Sequence, residues 1–328
     1  MDRRERAAST AFVTGASGFV GSHLVESLVA HGWDVRCLLR ARSDRRWLPQ
    51  AAGVVTASLD DALSLRDALG GVDTVFHLAA VTSAQSADDY YRVNVEGTRR
   101  LLDAVRAHAP DAVVLYCSSM AAAGPSSPHG AAREADPPRP ISAYGESKLE
   151  AERVLAASGV RHVIVRPPTV YGPRDRDVLA MFRLVRYGLA PRIGSAAQRL
   201  SMVHVHDLVD GLRRAAERGA PGAVYYVSGG VHSWQDVIAA LGSAFGRTAR
   251  ELPIPSLAAS AAALGSGLLA RLTGTKPLLT PDRVRDMMQT SWVCDDTRAR
   301  TELGYAPRVS LEDGVRSTAA WYREHGWL

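Results

Sequence analysis

The sequence predicts an α/β protein in which a doubly wound parallel sheet carries a smaller, discontinuous C-terminal lobe. Short apolar runs alternate with helical patterns through the first half of the 328 residues, as in successive βαβ units. A glycine-rich turn stands between the first apolar run and the first helical pattern. After Gly172 the alternation breaks up into helical segments and proline-containing loops, which indicates that the chain leaves the sheet there.

Hydrophobic periodicity assigns the individual elements in order along the chain. The predicted strands are residues 11–13, 35–39, 54–55, 74–78, 112–116, 163–165 and 224–227. The predicted helices are residues 20–30, which Gly32 ends, 93–107 and 143–157. We therefore assign residues 9–172 and 203–228 to the sheet domain and residues 173–202 and 229–328 to the substrate-binding lobe. A ligand cleft is expected between them, beyond the carboxyl ends of the strands.

Composition and charge exclude several classes of protein. Lys and Arg total 39 and Asp and Glu total 34, which gives a net charge of +5. Because the basic residues are scattered among acidic ones, we expect no nucleic-acid-binding surface. The uncharged stretch 252–270 is rich in Ala, Ser and Gly and contains two prolines, which favours a buried or groove-lining helix over a membrane span. The three cysteines show no metal-binding spacing. The charged residues 1–8 lack the apolar core of a signal peptide, so we expect a cytoplasmic location.

The glycine-rich turn predicts a dinucleotide-binding site. Gly15, Gly18 and Gly21 follow the first strand and open the first helix, so they permit a tight turn, close approach of a pyrophosphate and close packing of helix on strand. The free N–H groups and positive dipole of the helix N-terminus favour phosphate. The cofactor contacts expected in this turn are Gly15, Ser17, Gly18, Phe19, Val20 and Gly21.

The end of the second predicted strand distinguishes NAD from NADP. An acidic residue at this position would bind the ribose 2′-hydroxyl of NAD. The sequence has Leu39 and Arg40 there, followed by further arginines, and an arginine favours the 2′-phosphate of NADP. We therefore expect NADP, with NAD as the alternative.

Tyr144 and Lys148 form the most specific chemical motif. Four residues apart on a predicted helix, they lie on one face, so the ammonium group can lower the pKa of the phenol toward neutral pH. A partner hydroxyl is expected at the end of the preceding strand, where the chain has Ser118 and Ser119.

The glycine spacing and the Tyr144/Lys148 pair resemble the extended branch of the short-chain dehydrogenase/reductase superfamily. That branch includes nucleotide-sugar epimerases and dehydratases, 3β-hydroxysteroid dehydrogenases and dihydroflavonol reductases. The resemblance implies a Rossmann-type fold, a homodimer, and a catalytic set in which Ser119 binds the substrate oxygen and Tyr144 transfers its proton. It further implies that Lys148 binds the nicotinamide ribose and lowers the pKa of Tyr144. Ser118 is the alternative to Ser119 as the hydroxyl that binds the substrate oxygen. Matching segments imply further cofactor-site residues: Leu59, Leu78, Ala79, Ala80, Asn94 (as a hydrogen-bonding scaffold), Pro167, Thr169 and Val170.

Two departures from the family's pattern narrow the reaction. Nucleotide-sugar 4,6-dehydratases carry an Asp-Glu pair directly after the catalytic hydroxyl, whereas this chain has Met120 and Ala121. Many epimerases carry an Arg-Pro-Gly-Asp diphosphate clamp where residues 287–292 here read Met-Met-Gln-Thr-Ser-Trp. Together with Arg40, these differences favour an NADP-dependent oxidoreductase that reduces a ketone or aldehyde or oxidises the corresponding alcohol. The uncharged stretch 252–270 favours an apolar small-molecule substrate. The alternatives are a nucleotide-sugar epimerase and an NADP-binding regulator without turnover.

Overall fold

A computed structural model describes residues 9–84, 86–273 and 279–328. The charged segment 1–8, for which the sequence predicts no signal peptide, lies outside these residues. The strands of the described residues are β1 (Thr10–Thr14), β2 (Asp34–Leu39), β3 (Gly53–Thr56), β4 (Thr74–His77), β5 (Val113–Cys117), β6 (His162–Arg166), β7 (Thr169–Tyr171), β8 (Leu189–Ile193), β9 (Arg199–His204), β10 (Val224–Tyr226), β11 (Gly230–Ser233), β12 (Arg250–Ile254) and β13 (Ser291–Trp292).

Most of the helices pack on the faces of the main sheet or build the lobe. The α-helices are α1 (Phe19–Ala30), α2 (Ala62–Leu69), α3 (Ala87–Tyr90), α4 (Gly97–His108), α5 (Ala143–Ala157), α6 (Leu179–Arg186), α7 (Val205–Arg218), α8 (Trp234–Ala244), α9 (Ser256–Thr273), α10 (Pro281–Met287), α11 (Thr297–Leu303) and α12 (Leu311–Glu324). A π-helical segment, Tyr91–Glu96, joins α3 to α4, and Met120–Ala122 form a 3₁₀ turn.

Seven parallel strands form the main sheet in the order β3-β2-β1-β4-β5-β6-β10. The order reverses between β1 and β4, and ligands of doubly wound sheets bind beside the carboxyl ends at such a switch point. Apolar side chains of α1 and α7 pack on one face of this sheet, and those of α2, α4 and α5 pack on the other. The predicted α/β fold with a Rossmann-type sheet is therefore confirmed.

Helix α2 is an element that the sequence analysis did not predict. Its apolar side chains at positions 65, 68 and 69 are buried, but the helix has only eight residues and Leu63 is exposed, so its periodicity is weak. Its start is fixed locally by Asp61, whose carboxylate accepts a hydrogen bond from the N–H of Ser64 at 3.1 Å.

The lobe is built from two small sheets and the remaining helices. Strands β7, β9, β11 and β13 form one sheet, and β8 and β12 form the other. A separate apolar core joins α6, α8 and α12 through side chains such as Phe182, Leu241 and Tyr322. The stretch 252–270 falls partly in β12 and partly in α9, and none of the described helices is long and apolar enough to cross a membrane. The domain boundaries at 172/173, 202/203 and 228/229 stay predictions.

Candidate active site

The glycine turn after β1 has the geometry that a dinucleotide cradle requires. Gly15 has a φ of +72°, and a Cβ atom there would lie 2.7 Å from the backbone nitrogen of Ala79, so a larger residue does not fit. A Cβ on Gly21 would come within 2.1 Å of the Gly15 carbonyl oxygen. Helix α1 begins at Phe19 after the N-cap Gly18, which offers no side chain to its first N–H groups. These N–H groups and the helix dipole suit a pyrophosphate.

A cavity of about 670 Å³ extends from this glycine turn to the start of α5. Its wall contains most of the residues that the sequence analysis assigned to cofactor and catalysis. They are Gly15, Ser17, Gly18, Phe19, Val20, Gly21, Leu78, Ala80, Ser119, Tyr144, Lys148, Pro167 and Val170. A phosphate-binding end and a Tyr/Lys end therefore share one cavity, and the residues present fit a nicotinamide dinucleotide.

Five assigned residues lie outside the wall of that cavity: Arg40, Leu59, Ala79, Asn94 and Thr169. The buried Asn94 amide donates to the hydroxyl of Ser147 at 2.9 Å and forms two hydrogen bonds with the backbone of Val81, which is the predicted scaffold position. The backbone N–H of Ala79 donates to the hydroxyl of Thr14 at 3.2 Å. Leu59 packs on the apolar core under α4, and Thr169 is exposed in β7.

Arg40 is exposed directly after β2, on the carboxyl side of the sheet. Its backbone N–H donates to the hydroxyl of Ser43 at 3.1 Å, which closes a short turn. Within residues 9–84, 86–273 and 279–328 no carboxylate forms an ion pair with Arg40. The nearby Asp44 carboxylate already accepts hydrogen bonds from the backbone and side chain of Arg46.

Close backbone packing brings Tyr144 against Ser119. Helix α5 begins at Ala143, so Tyr144 lies in its first turn and Lys148 one turn later. A Cβ on Gly145 would lie 2.3 Å from the carbonyl oxygen of Ala121, so only glycine lets α5 approach the 3₁₀ turn this closely. The phenol of Tyr144 and the side chain of Ser119 line the same cavity, and the two groups are close enough for Ser119 to act on the pKa of the phenol.

The two neighbouring serines have different surroundings. The hydroxyl of the buried Ser118 donates to Glu152, whose carboxylate is also held by Arg166 at 2.6 and 3.0 Å. Ser119 is half-buried, and its oxygen accepts a hydrogen bond from the backbone N–H of Ala121 at 3.1 Å. Ser118 thus belongs to a buried ionic cluster, whereas Ser119 lies beside Tyr144.

Burial determines the protonation of Tyr144 and Lys148. The pKa of Tyr144 is raised above its usual value, chiefly because burial penalises the phenolate, while the neighbouring Ser119 side chain acts in the opposite direction. Burial likewise lowers the pKa of Lys148 to about 8. The Lys148 ammonium donates to the carbonyl oxygen of Cys117 at 2.8 Å and lies 4.1 Å from the ring centre of Tyr116. The expected lowering of the Tyr144 pKa is therefore wrong for this structure, because desolvation of the phenol raises that pKa.

His77, at the end of β4, is a structural residue. Its Nδ1 lies 2.7 Å from the hydroxyl of Thr14 and its Nε2 lies 2.9 Å from the hydroxyl of Thr98. Because Thr98 donates its own proton to the carbonyl of Asn94, Nε2 carries the ring proton and Nδ1 accepts from Thr14. Burial lowers the pKa of His77 to about 3, which keeps the ring neutral.

Several residues of the site were missed by the sequence analysis. Glu152 follows Lys148 by one helical turn, so its place on the same face of α5 was readable from the spacing. Arg174 binds Glu26 at 2.6 Å and lies 4.9 Å from the ring of Trp47. Trp47 and Arg174 line the cavity together with Trp327 near the C-terminus. No local pattern marks these three, because they meet only in the folded chain.

Comparison with known proteins agrees with this geometry. A sequence model of the NAD-dependent epimerase/dehydratase family matches residues 11–228. Over 96% of the chain and 95% of the relative, the sequence is 29% identical to a ceramide reductase of Caulobacter vibrioides. It is 32% identical to the 4-hydroxy-2-methyl-3-oxo-4-farnesyl-3,4-dihydroquinoline-1-oxide ketoreductase of Stigmatella aurantiaca, over 93% of the chain and 94% of the relative. Among solved structures, MoeE5 in complex with UDP-glucuronic acid and NAD is 28% identical, with a TM-score of 0.75 over 97% of this chain and all of that one.

The sheet order and the glycine cradle define a Rossmann-type, NAD-binding class of protein whose relatives are oxidoreductases. The chain belongs to the NAD-dependent epimerase/dehydratase family, in the extended branch of the short-chain dehydrogenases/reductases.

Proposed function

We propose that this protein is an NADP-dependent oxidoreductase that reduces a ketone or aldehyde to the alcohol, or catalyses the reverse reaction. The observation that carries the proposal is that Ser119, Tyr144 and Lys148 line one cavity together with the glycine turn. A proton donor and an oxygen-binding hydroxyl then lie at the end of the cavity remote from the phosphate-binding turn. Two relatives matched over nearly their whole length are named as reductases, which supports this reaction class.

The residues of the chain divide the work of carbonyl reduction. A bound nicotinamide dinucleotide supplies the hydride to the carbonyl carbon. Ser119 donates a hydrogen bond to the carbonyl oxygen, and Tyr144 transfers its phenolic proton to that oxygen as negative charge develops. Because its pKa is raised, Tyr144 carries this proton throughout the neutral range. Solvent returns the proton to Tyr144, and Lys148 holds the cofactor ribose.

The preference for NADP rests on Arg40. This arginine stands at the carboxyl end of β2 with its guanidinium exposed, where an acid would select NAD. A charge-assisted contact with the 2′-phosphate contributes about 1.5–3 kcal/mol. NAD stays the alternative, since solved relatives such as MoeE5 contain NAD. The expected homodimer and cytoplasmic location stay predictions.

A nucleotide-sugar epimerase is the second candidate, favoured by the likeness to MoeE5 in complex with UDP-glucuronic acid. One segment counts against it, because residues 287–292 contain no arginine to neutralise a diphosphate. Met120 and Ala121, which stand where 4,6-dehydratases have acids, count against a dehydratase.

Replacement of Tyr144 by Phe tests the proposed acid/base role. The change removes the hydroxyl and keeps the ring, so we expect turnover of a carbonyl substrate to fall by about 100-fold or more. Binding of NADPH, measured by fluorescence titration, is expected to stay nearly unchanged. Full activity of Tyr144→Phe would show that another group delivers the proton.

Replacement of Arg40 by Ala tests the cofactor assignment. NADPH should bind the unmodified protein more tightly than NADH by about 1–3 kcal/mol, and Arg40→Ala should remove most of that difference. Arg42→Ala is a matched control, since Arg42 is another exposed arginine two residues along the same loop. Equal affinity of the unmodified protein for the two cofactors would refute the NADP assignment.

A further inference from the structure

A second cavity, of about 460 Å³, lies between α9 and the start of α5. Its volume falls within the range of about 300–1,000 Å³ typical of small-molecule sites. We call it the α9 groove. It is lined by Ala263, Leu264, Gly267 and Ala270 of α9, by Leu279 and Asp282, and by Ala84, Ser86, Ala87 and Tyr90.

The α9 groove adjoins the proposed proton donor. Ala143 lines the groove and precedes Tyr144, which lines the cofactor cavity. The buried Tyr90 also lines the groove, and its ring centre lies 6.0 Å from that of Tyr144. The Tyr90 hydroxyl is turned to the backbone, where it accepts a hydrogen bond from the N–H of Ala84 at 3.1 Å. Tyr90 therefore lines the α9 groove, and its neighbour Tyr144 lines the cofactor cavity.

The walls of the α9 groove select against charged ligands. Most of them are alanine, leucine, glycine and proline, and Ala263 and Ala270 are almost completely buried. Among the described residues that line it, Asp282 alone is charged, and one of its oxygens accepts from the N–H of Ala143 at 2.8 Å. The other Asp282 oxygen lies 3.4 Å from Arg285, which is not among the lining residues. With no arginine or lysine on its wall, the groove offers no partner to a phosphate or diphosphate, whereas its apolar walls bind hydrocarbon.

We propose that the α9 groove holds the hydrocarbon chain or ring system of the substrate, so that the enzyme acts on an uncharged lipophilic ketone or alcohol. The inference rests on the proposed function, because it places the carbonyl oxygen of that substrate at Ser119 and Tyr144 and its apolar body beside Tyr90. Binding in the groove then strengthens about fourfold for each methylene that it buries.

Two glycines of α9 provide a matched pair of variants. Gly267 lines the groove, whereas Gly265 is exposed and does not. A Cβ at either position meets no atom within 4 Å, so both tolerate a larger residue, and both exchanges to leucine raise helix propensity equally. Gly267→Leu places a side chain in the groove, and Gly265→Leu places the same side chain outside it.

The test uses two fluorescent ketones that share one headgroup and differ in chain length, 6-propionyl- and 6-dodecanoyl-2-dimethylaminonaphthalene. Their emission moves to the blue in an apolar site, so binding to the NADPH complex is measured without turnover. We expect the dodecanoyl ketone to bind the unmodified protein and Gly265→Leu at least tenfold more tightly than Gly267→Leu. We expect the propionyl ketone to distinguish the three proteins by less than threefold.

Binding and NADPH oxidation with the same ketones separate the two claims. Equal affinity of the dodecanoyl ketone for Gly267→Leu and the unmodified protein overturns the groove assignment, even if both ketones are reduced. If the affinity for the dodecanoyl ketone falls in Gly267→Leu, the groove assignment is supported. If neither the dodecanoyl ketone nor any of a panel of straight-chain ketones is then reduced, the ketone reduction of the proposed function is refuted while the groove assignment stands.

Discussion

The neighbouring hydroxyls of Ser118 and Ser119 provide a sharp test, because the structure assigns them opposite roles. Ser118→Ala removes a hydrogen bond to the buried Glu152 carboxylate, and a hydrogen bond to a charged group contributes about 1.5–3 kcal/mol to stability. At about 1.5 °C for each kcal/mol in a chain of this length, the melting temperature should fall by roughly 2–5 °C. Turnover of the folded protein should change by less than about threefold, since this hydroxyl donates its proton to Glu152.

Ser119→Ala should produce the reverse pattern. Its oxygen accepts one backbone hydrogen bond at the start of a 3₁₀ turn, so stability should fall by about 1 kcal/mol or less. Loss of a hydrogen-bond donor to a developing oxyanion costs about 10²–10³ in turnover. Urea unfolding gives the free energies of unfolding, and NADPH oxidation gives turnover for both variants. A Ser118→Ala protein that loses turnover while Ser119→Ala keeps it would refute the placement of the substrate oxygen.

The remaining predictions concern the ionic cluster and Lys148. Glu152→Leu should lower the free energy of unfolding, measured in urea, by about 3–5 kcal/mol, because it leaves the buried Arg166 charge without a partner. Adding Arg166→Met should recover most of that loss. Additive losses in the double variant would contradict this expectation. The pKa of Lys148 is about 8, so the ammonium form decreases as the pH rises through 8. If the ammonium holds the cofactor ribose, NADPH affinity should be nearly constant from pH 6 to 7 and fall about tenfold by pH 9 in fluorescence titrations. An affinity that is flat to pH 9 would exclude this role for Lys148.

The sequence was sufficient for the sheet and for the glycine cradle because their signals are local. Each strand of the main sheet is a short apolar run, and the spacing of Gly15, Gly18 and Gly21 already defines a turn that only small residues can form. Helix α5 was predicted at residues 143–157, as observed. The structure shows that Ser142 caps its N-terminus, where the hydroxyl accepts a hydrogen bond from the N–H of Gly145.

Other features depend on tertiary contacts that no local pattern records. The bond between Arg174 and Glu26 joins residues 148 positions apart, and Trp327 reaches the cofactor cavity from the end of the chain. The direction of the shift in the Tyr144 pKa depended chiefly on burial of the phenol, which the spacing of Tyr144 and Lys148 in the sequence does not report. The α9 groove likewise arises where α9 faces Tyr90, so the apolar stretch alone indicated a lining helix without its location.

The stoichiometry of cofactor use tests the central claim most directly. The protein should be incubated with NADPH and, separately, with a panel of lipophilic ketones and a panel of nucleotide sugars, while NADPH and the stereochemistry of the product are followed together. The account predicts that one NADPH is consumed for each alcohol formed from a ketone, because the hydride leaves with the product. Inversion of a nucleotide sugar with no net change in the cofactor would contradict the account and establish the epimerase instead.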